Sequence, residues 1–138
     1  MIRYIATYIA TFVVMLGIDA VWLSLTAGPL YRANLGDIIA DNFRPLPAIV
    51  FYAIYVVGIM VFVVPTDEAP RNFARIAMFG ALLGFFCYAT YDLTNYATLR
   101  TWSLTVTVAD MAWGAVLTGA GAVLGTLIGD FLAHLVGR

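Results

Sequence analysis

The sequence has no lysine, a single cysteine, a single histidine and little charge of either sign, only 11% of its residues being charged. Each scarcity removes a class of function. Cys87 alone forms no internal disulfide and no CxxC site, and it is expected to pack as a small hydrophobe within a helix. His134 stands near the C-terminus with no other His or Cys near it, which fits an interfacial residue and not a metal ligand. There is no HExxH stretch, no Ser–His or Cys–His set and no pair of histidines for haem. All seven basic residues are arginine and the net charge is −1, so no basic face is offered to nucleic acid. No internal repeat or low-complexity segment is present.

What the chain does have is apolar length. Of its 138 residues 63% are hydrophobic, and the mean hydropathy is +0.94. A soluble domain of this size cannot hide so much apolar surface, so lipid is the expected solvent. A bilayer core of roughly 30 Å takes about 20 apolar residues per helix, which leaves room for four spans. They are expected at roughly 4–25, 48–64, 73–98 and 104–128, within one domain covering 1–138. The first is read as a retained helix because it outruns a signal-peptide core and carries Asp19 and Trp22. The fourth has room to continue through Asp130 and His134 toward Arg138.

The longest connection, roughly 26–47, places Leu30, Tyr31, Leu35, Ile38 and Ile39 on one helical face, with Arg32, Asn34, Asp37 and Asp41 elsewhere. That pattern predicts a short interfacial helix, stopped by Arg44-Pro45-Leu46-Pro47. Pro65 to Asn72 reads as a tight polar turn. The expected fold is all-α, an up-down bundle of four transmembrane helices with both termini on one side. Arg3, Arg71, Arg75 and Arg138 lie on that side and Arg32, Arg44 and Arg100 on the other, which favours cytoplasmic termini.

Three carboxylates interrupt the apolar spans. Asp19 and Asp92 each lie six residues before the expected end of a span, and Asp110 six residues after the start of one. At 1.5 Å per residue all three sit roughly 9 Å inside the same membrane face. Tyr88, Asp92, Asn95 and Thr98 follow helical steps along one face, while Trp22 and Trp113 lie one turn beyond Asp19 and Asp110. Arg32, Arg44 and Arg100 on the adjoining surface are expected as counter-ions. A carboxylate facing lipid is costly, so these residues should face the interior, and at least one should hold a proton at neutral pH. Asp19, Trp22, Tyr88, Asp92, Asn95, Asp110 and Trp113 are therefore the candidate ligand or proton site. Two uses remain open: hydrogen bonds that hold the helices in register, or a functional polar pocket.

Gly121, Gly125 and Gly129 repeat every four residues, as do Gly80 and Gly84. Small residues at that spacing let helix backbones approach closely, either inside one bundle or between copies of the chain.

Asp19-Ala20-Val21-Trp22-Leu23, the stretch from Phe51 to Gly58, Tyr88-Ala89-Thr90-Tyr91-Asp92-Leu93-Thr94-Asn95 and Asp110-Met111-Ala112-Trp113-Gly114 resemble the DUF2177 family of small bacterial membrane proteins. The resemblance spans essentially the whole chain. It implies a multi-pass protein of the bacterial cytoplasmic membrane and supplies no mechanism. Three functions fit the residues. The first is an accessory protein that binds membrane lipid or another amphipathic ligand, with a homo-oligomer or a membrane-protein partner. The second is a lipid-modifying enzyme using Asp acid–base chemistry or carboxylate–metal chemistry. The third is a small proton- or cation-coupled transporter. No cofactor is expected; a divalent cation would need Asp19, Asp92 and Asp110 as its ligands.

Overall fold

Helix starts follow local chemistry. Asn72 accepts a hydrogen bond from the Arg75 amide at 3.0 Å and begins one helix; Ser103 accepts from the Val106 amide at 3.3 Å and begins another. Pro45 opens a third, where its missing N–H has no helical partner to lose. The computed structural model describes residues 1–65 and 70–137. Its order is α1 (Ile2–Thr26), a π-helical turn (Ala27–Arg32), α2 (Ala33–Leu35), α3 (Pro45–Phe62), α4 (Phe73–Thr98) and α5 (Leu104–Val136). The four long helices are each long and apolar enough to cross a membrane.

Helix ends differ from expectation by a few residues, most at the start of α3 and the end of α5. α3 starts at Pro45 instead of near 48, since proline is accommodated in a first turn. α5 runs on to Val136, past the expected end near 128. The helical piece of the first connection grows directly out of α1. Pro29 offers no N–H to the α-helical ladder, and the chain absorbs the defect as a π turn in which the Ala33 amide reaches back to the Gly28 carbonyl. Helix stops at Leu35, and residues 36–44 return to α3 without regular structure. Of the expected polar turn, residues 66–69 lie outside the described residues, as does Arg138; the Arg71 guanidinium donates to the Pro65 carbonyl.

α5 packs mainly against α4 and α1, while α3 lies against α1 and touches α4. Two rows of small residues on α5 set these contacts. A methyl group on Gly125 would lie 2.6 Å from Thr11 Cα, one on Gly129 2.6 Å from Thr7 N, and one on Gly121 2.6 Å from Met15 Cγ. Steps of four up α1 (Thr7, Thr11, Met15) thus meet steps of four down α5 (Gly129, Gly125, Gly121). The second seam pairs Gly80 with Ala122, Gly84 with Thr118 and Tyr88 with Gly114, again in steps of four on both helices. The glycine rows are therefore used inside the chain. Between the seams Met15, Val56, Ile59, Ile76 and Leu117 form the buried core, and Ile5, Ile9, Val13, Ile54 and Val116 are exposed on the outside.

Contacts at each end show the up-down order. Arg3 donates to both oxygens of Asp130 at 2.5 and 2.7 Å, and Arg71 donates to Asp130 at 3.4 Å. At the other end Ser103 donates to the Asn34 side-chain oxygen at 3.2 Å, joining the first connection to the α4–α5 turn.

Candidate functional site

The site grows out of the two seams. Continuing the α1 row by one step from Met15 gives Asp19, and one turn further gives Trp22. Continuing the α5 row from Gly121 gives Leu117 and then Trp113. The two indoles stack, their ring centroids 4.3 Å apart and their planes 9° from parallel. Trp113 Nε1 donates to one oxygen of Asp19 at 2.9 Å, and the Tyr52 hydroxyl, from α3, donates to the other. Asp19 thus has a neutral donor on each oxygen.

The π turn brings Tyr31 over the same layer. Its oxygen accepts from Trp22 Nε1 at 3.0 Å, and its hydroxyl donates to Asp110 Oδ1 at 2.5 Å. One network therefore runs from Tyr52 through Asp19, Trp113, Trp22 and Tyr31 to Asp110, across α3, α1, α5 and the first connection. Asp110 is 9% exposed.

Asp92 stands apart from this network. It is 0% exposed, and among the described residues neither of its oxygens has a hydrogen-bond partner. The seam explains its position: one step of four beyond the Tyr88–Gly114 contact lies Asp92 on α4 and Asp110 on α5. Asp110 is close enough to act on Asp92 electrostatically, as Asp19 does on Asp110. Tyr88, half-buried, rests its ring on Gly114.

Several expected members behave differently. Asn95 is half-buried, and no hydrogen bond among the described residues ties its amide to a carboxylate. Thr98 is exposed and bonds back to the Thr94 carbonyl at 2.8 Å, leaving the face it was expected to share. Arg32, Arg44 and Arg100 are not counter-ions: among the described residues the ion pairs are those of Asp130 with Arg3 and Arg71. Phenols and an indole at membrane depth reach Asp19 and Asp110, whereas the three arginines sit on the surface above. Cys87 lies within a helix, α4, as expected, and is exposed there. Among the described residues no group of three His, Cys, Asp or Glu side chains could hold a metal ion.

Sequence reasoning left out Tyr31 and Tyr52. A tyrosine within an apolar span needs a partner for its hydroxyl, and that signal was available at Tyr52 and at Tyr55, which shares a 2.9 Å hydrogen bond with Thr118. Tyr31 also lines a cavity of about 920 Å³ beneath the first connection. Leu23, Ala27, Ile38 and Phe43 supply apolar wall there, and Arg32, Asp41 and Arg44 supply charge.

No curated protein and no solved structure matches the chain. A family model described as a predicted membrane protein (DUF2177) matches residues 4–127. With nearly the whole four-helix chain covered by that match, the protein belongs to the DUF2177 family.

Proposed function

We propose that this protein is an accessory protein of the bacterial cytoplasmic membrane that binds an amphipathic lipid with an anionic headgroup beneath its first connection. The observation that carries the proposal is the cavity of about 920 Å³ bounded by apolar side chains, two arginines, Arg32 and Arg44, and a single carboxylate, Asp41. Its size suits a lipid headgroup with the upper part of its chains. Guanidinium groups recognise phosphate and carboxylate oxygens bidentately, while Leu23, Ala27 and Ile38 offer surface to an acyl chain. Tyr31 lines the cavity and also bonds Trp22 and Asp110, so an occupant would bear on the network below it.

Enzymatic and transport functions draw less support from the geometry. Asp19 and Asp110 accept from neutral donors on three parts of the chain, the π turn, α3 and α5, an arrangement that holds helices in register. On this proposal the end carrying Arg3, Arg71 and Arg75 faces the cytoplasm, and the cavity opens toward the outer leaflet. A partner membrane protein or a second copy would meet the exposed outer faces, because the glycine rows are already packed.

Native mass spectrometry of gently purified protein tests the proposal. Wild type is expected to retain a lipid with an anionic headgroup, and the Arg32→Ala/Arg44→Ala variant to lose it while keeping its helical circular dichroism. Wild type that flies bare, or a lipid that the double variant holds equally well, refutes it.

A further inference from the structure

We infer that Asp92 is a proton-binding site in the α4–α5 seam, held next to Asp110 by the glycine packing of the two helices. Asp92 is fully buried, and among the described residues neither of its oxygens has a hydrogen-bond partner. The seam leaves it no relief. Gly84 and Gly114 let the backbones approach so closely that an added methyl group would strike Thr118 Oγ1, at 2.5 Å, or Tyr88 Cβ, at 2.9 Å. The next step of the same row brings the two carboxyl groups together.

The neighbours of Asp92 offer it no positive charge. Asp110 on α5 acts on it electrostatically, and Tyr88 lies one turn before it on α4. The phenols of the layer are engaged elsewhere: Tyr31 donates to Asp110, Tyr52 to Asp19, and Tyr55 pairs with Thr118. Among the described residues no basic side chain reaches Asp92. A buried ionised carboxylate with neither a protein donor nor a basic side chain beside it is among the most costly groups to bury, and such a group takes up a proton instead. Asp110, by contrast, accepts a hydrogen bond from Tyr31. The pair therefore carries one proton, seated on Asp92. Releasing it requires α4 and α5 to part enough to admit water, so the protonation of Asp92 and the closure of this seam are linked. Asp92 does not line the lipid cavity, although Tyr31, which does, donates to its neighbour Asp110.

Dicyclohexylcarbodiimide, which reacts with protonated carboxyl groups in apolar surroundings, tests the inference on the intact protein in lipid. Mass spectrometry should locate the adduct on Asp92, with labelling that declines as pH rises. In Asp110→Asn the decline should move to lower pH, because a neighbouring negative charge has been removed. Infrared spectroscopy supplies a second readout that does not depend on reagent access. A protonated-carboxyl C=O band should vanish in Asp92→Asn and persist in Asp19→Asn. An infrared band that survives in Asp92→Asn overturns the inference. So does an adduct on Asp110 alone, or protection of Asp92 by sodium at constant pH, which would mark a cation site instead.

Discussion

Two glycine-to-alanine substitutions in α1 and α5 should have opposite outcomes although their chemistry is the same. At Gly125 the new methyl group would lie 2.6 Å from Thr11 Cα and 2.7 Å from Thr11 Cβ. Carbon atoms rest about 3.5–4.0 Å apart, so the helices must separate by about 1 Å. Thr11 Cα is backbone and cannot rotate aside, and α1 is a single rigid helix at this point, so the contacts of Gly121 and Gly129 loosen with it. Overpacking of this kind costs about 1–3 kcal/mol; at about 2 kcal/mol the unfolding equilibrium shifts about 30-fold. At Gly17 a methyl group meets nothing within 4 Å. There the change only removes glycine's backbone freedom, and it should be neutral or stabilising by up to about 1 kcal/mol. Reversible unfolding in mixed detergent micelles, followed by far-ultraviolet circular dichroism, reads both values. The stacked Trp22–Trp113 pair gives a second signal, since coupled indoles produce an exciton feature that weakens when α1 and α5 separate. Gly125→Ala with wild-type stability and an undiminished indole signal would refute the packing described for this seam.

The donors to Asp19 should show strong coupling. Tyr52→Phe and Trp113→Phe each leave one donor in place, and the Tyr52 change should cost about 1 kcal/mol; removing both should cost about 1–2 kcal/mol more than the separate losses together, measured by a double-mutant cycle in the same unfolding assay. Simple additivity would count against a shared carboxylate. Asp130→Asn, which breaks the contacts to Arg3 and Arg71, should destabilise by about 1 kcal/mol, and less in high salt because Asp130 is partly open to solvent. A loss of the same size at both ionic strengths would point to packing as its cause.

Much of the fold can be read from period and depth alone. Apolar length locates the four helices, and the spacing of Asp19, Asp92 and Asp110 anticipates a common polar layer. Glycine steps of four identify surfaces of close approach. What period cannot supply is a partner: it marks Gly125 as part of a stripe but does not say that Thr11, more than a hundred residues earlier, fills the gap. The different environments of the three carboxylates were hidden for the same reason, since they depend on cross-helix donors. Tyr52 and Trp113 come from other helices, and Tyr31 reaches Asp110 only because the π turn at Gly28-Pro29 adds one residue to the winding. The arginine counter-ions failed as an expectation because depth matters more than charge. Arg32 and Arg44 border the cavity at the membrane surface, and neutral side chains already within the layer reach the carboxylates first.

The central position of α5 has a consequence for assembly. It is the last of the four helices to leave the ribosome, yet it supplies the packing surface for both α1 and α4. Until it arrives, the first three helices have only the lesser α1–α3 and α3–α4 contacts. Asp19 must wait for its indole donor, and Asp92 stays exposed to whatever the bilayer or the insertion machinery provides. A nascent chain arrested before Leu104 would therefore be inserted but unlocked, with two intramembrane acids marking it as unfinished. Quality control that senses polar groups in lipid would find its signal there, and synthesis of α5 would erase it.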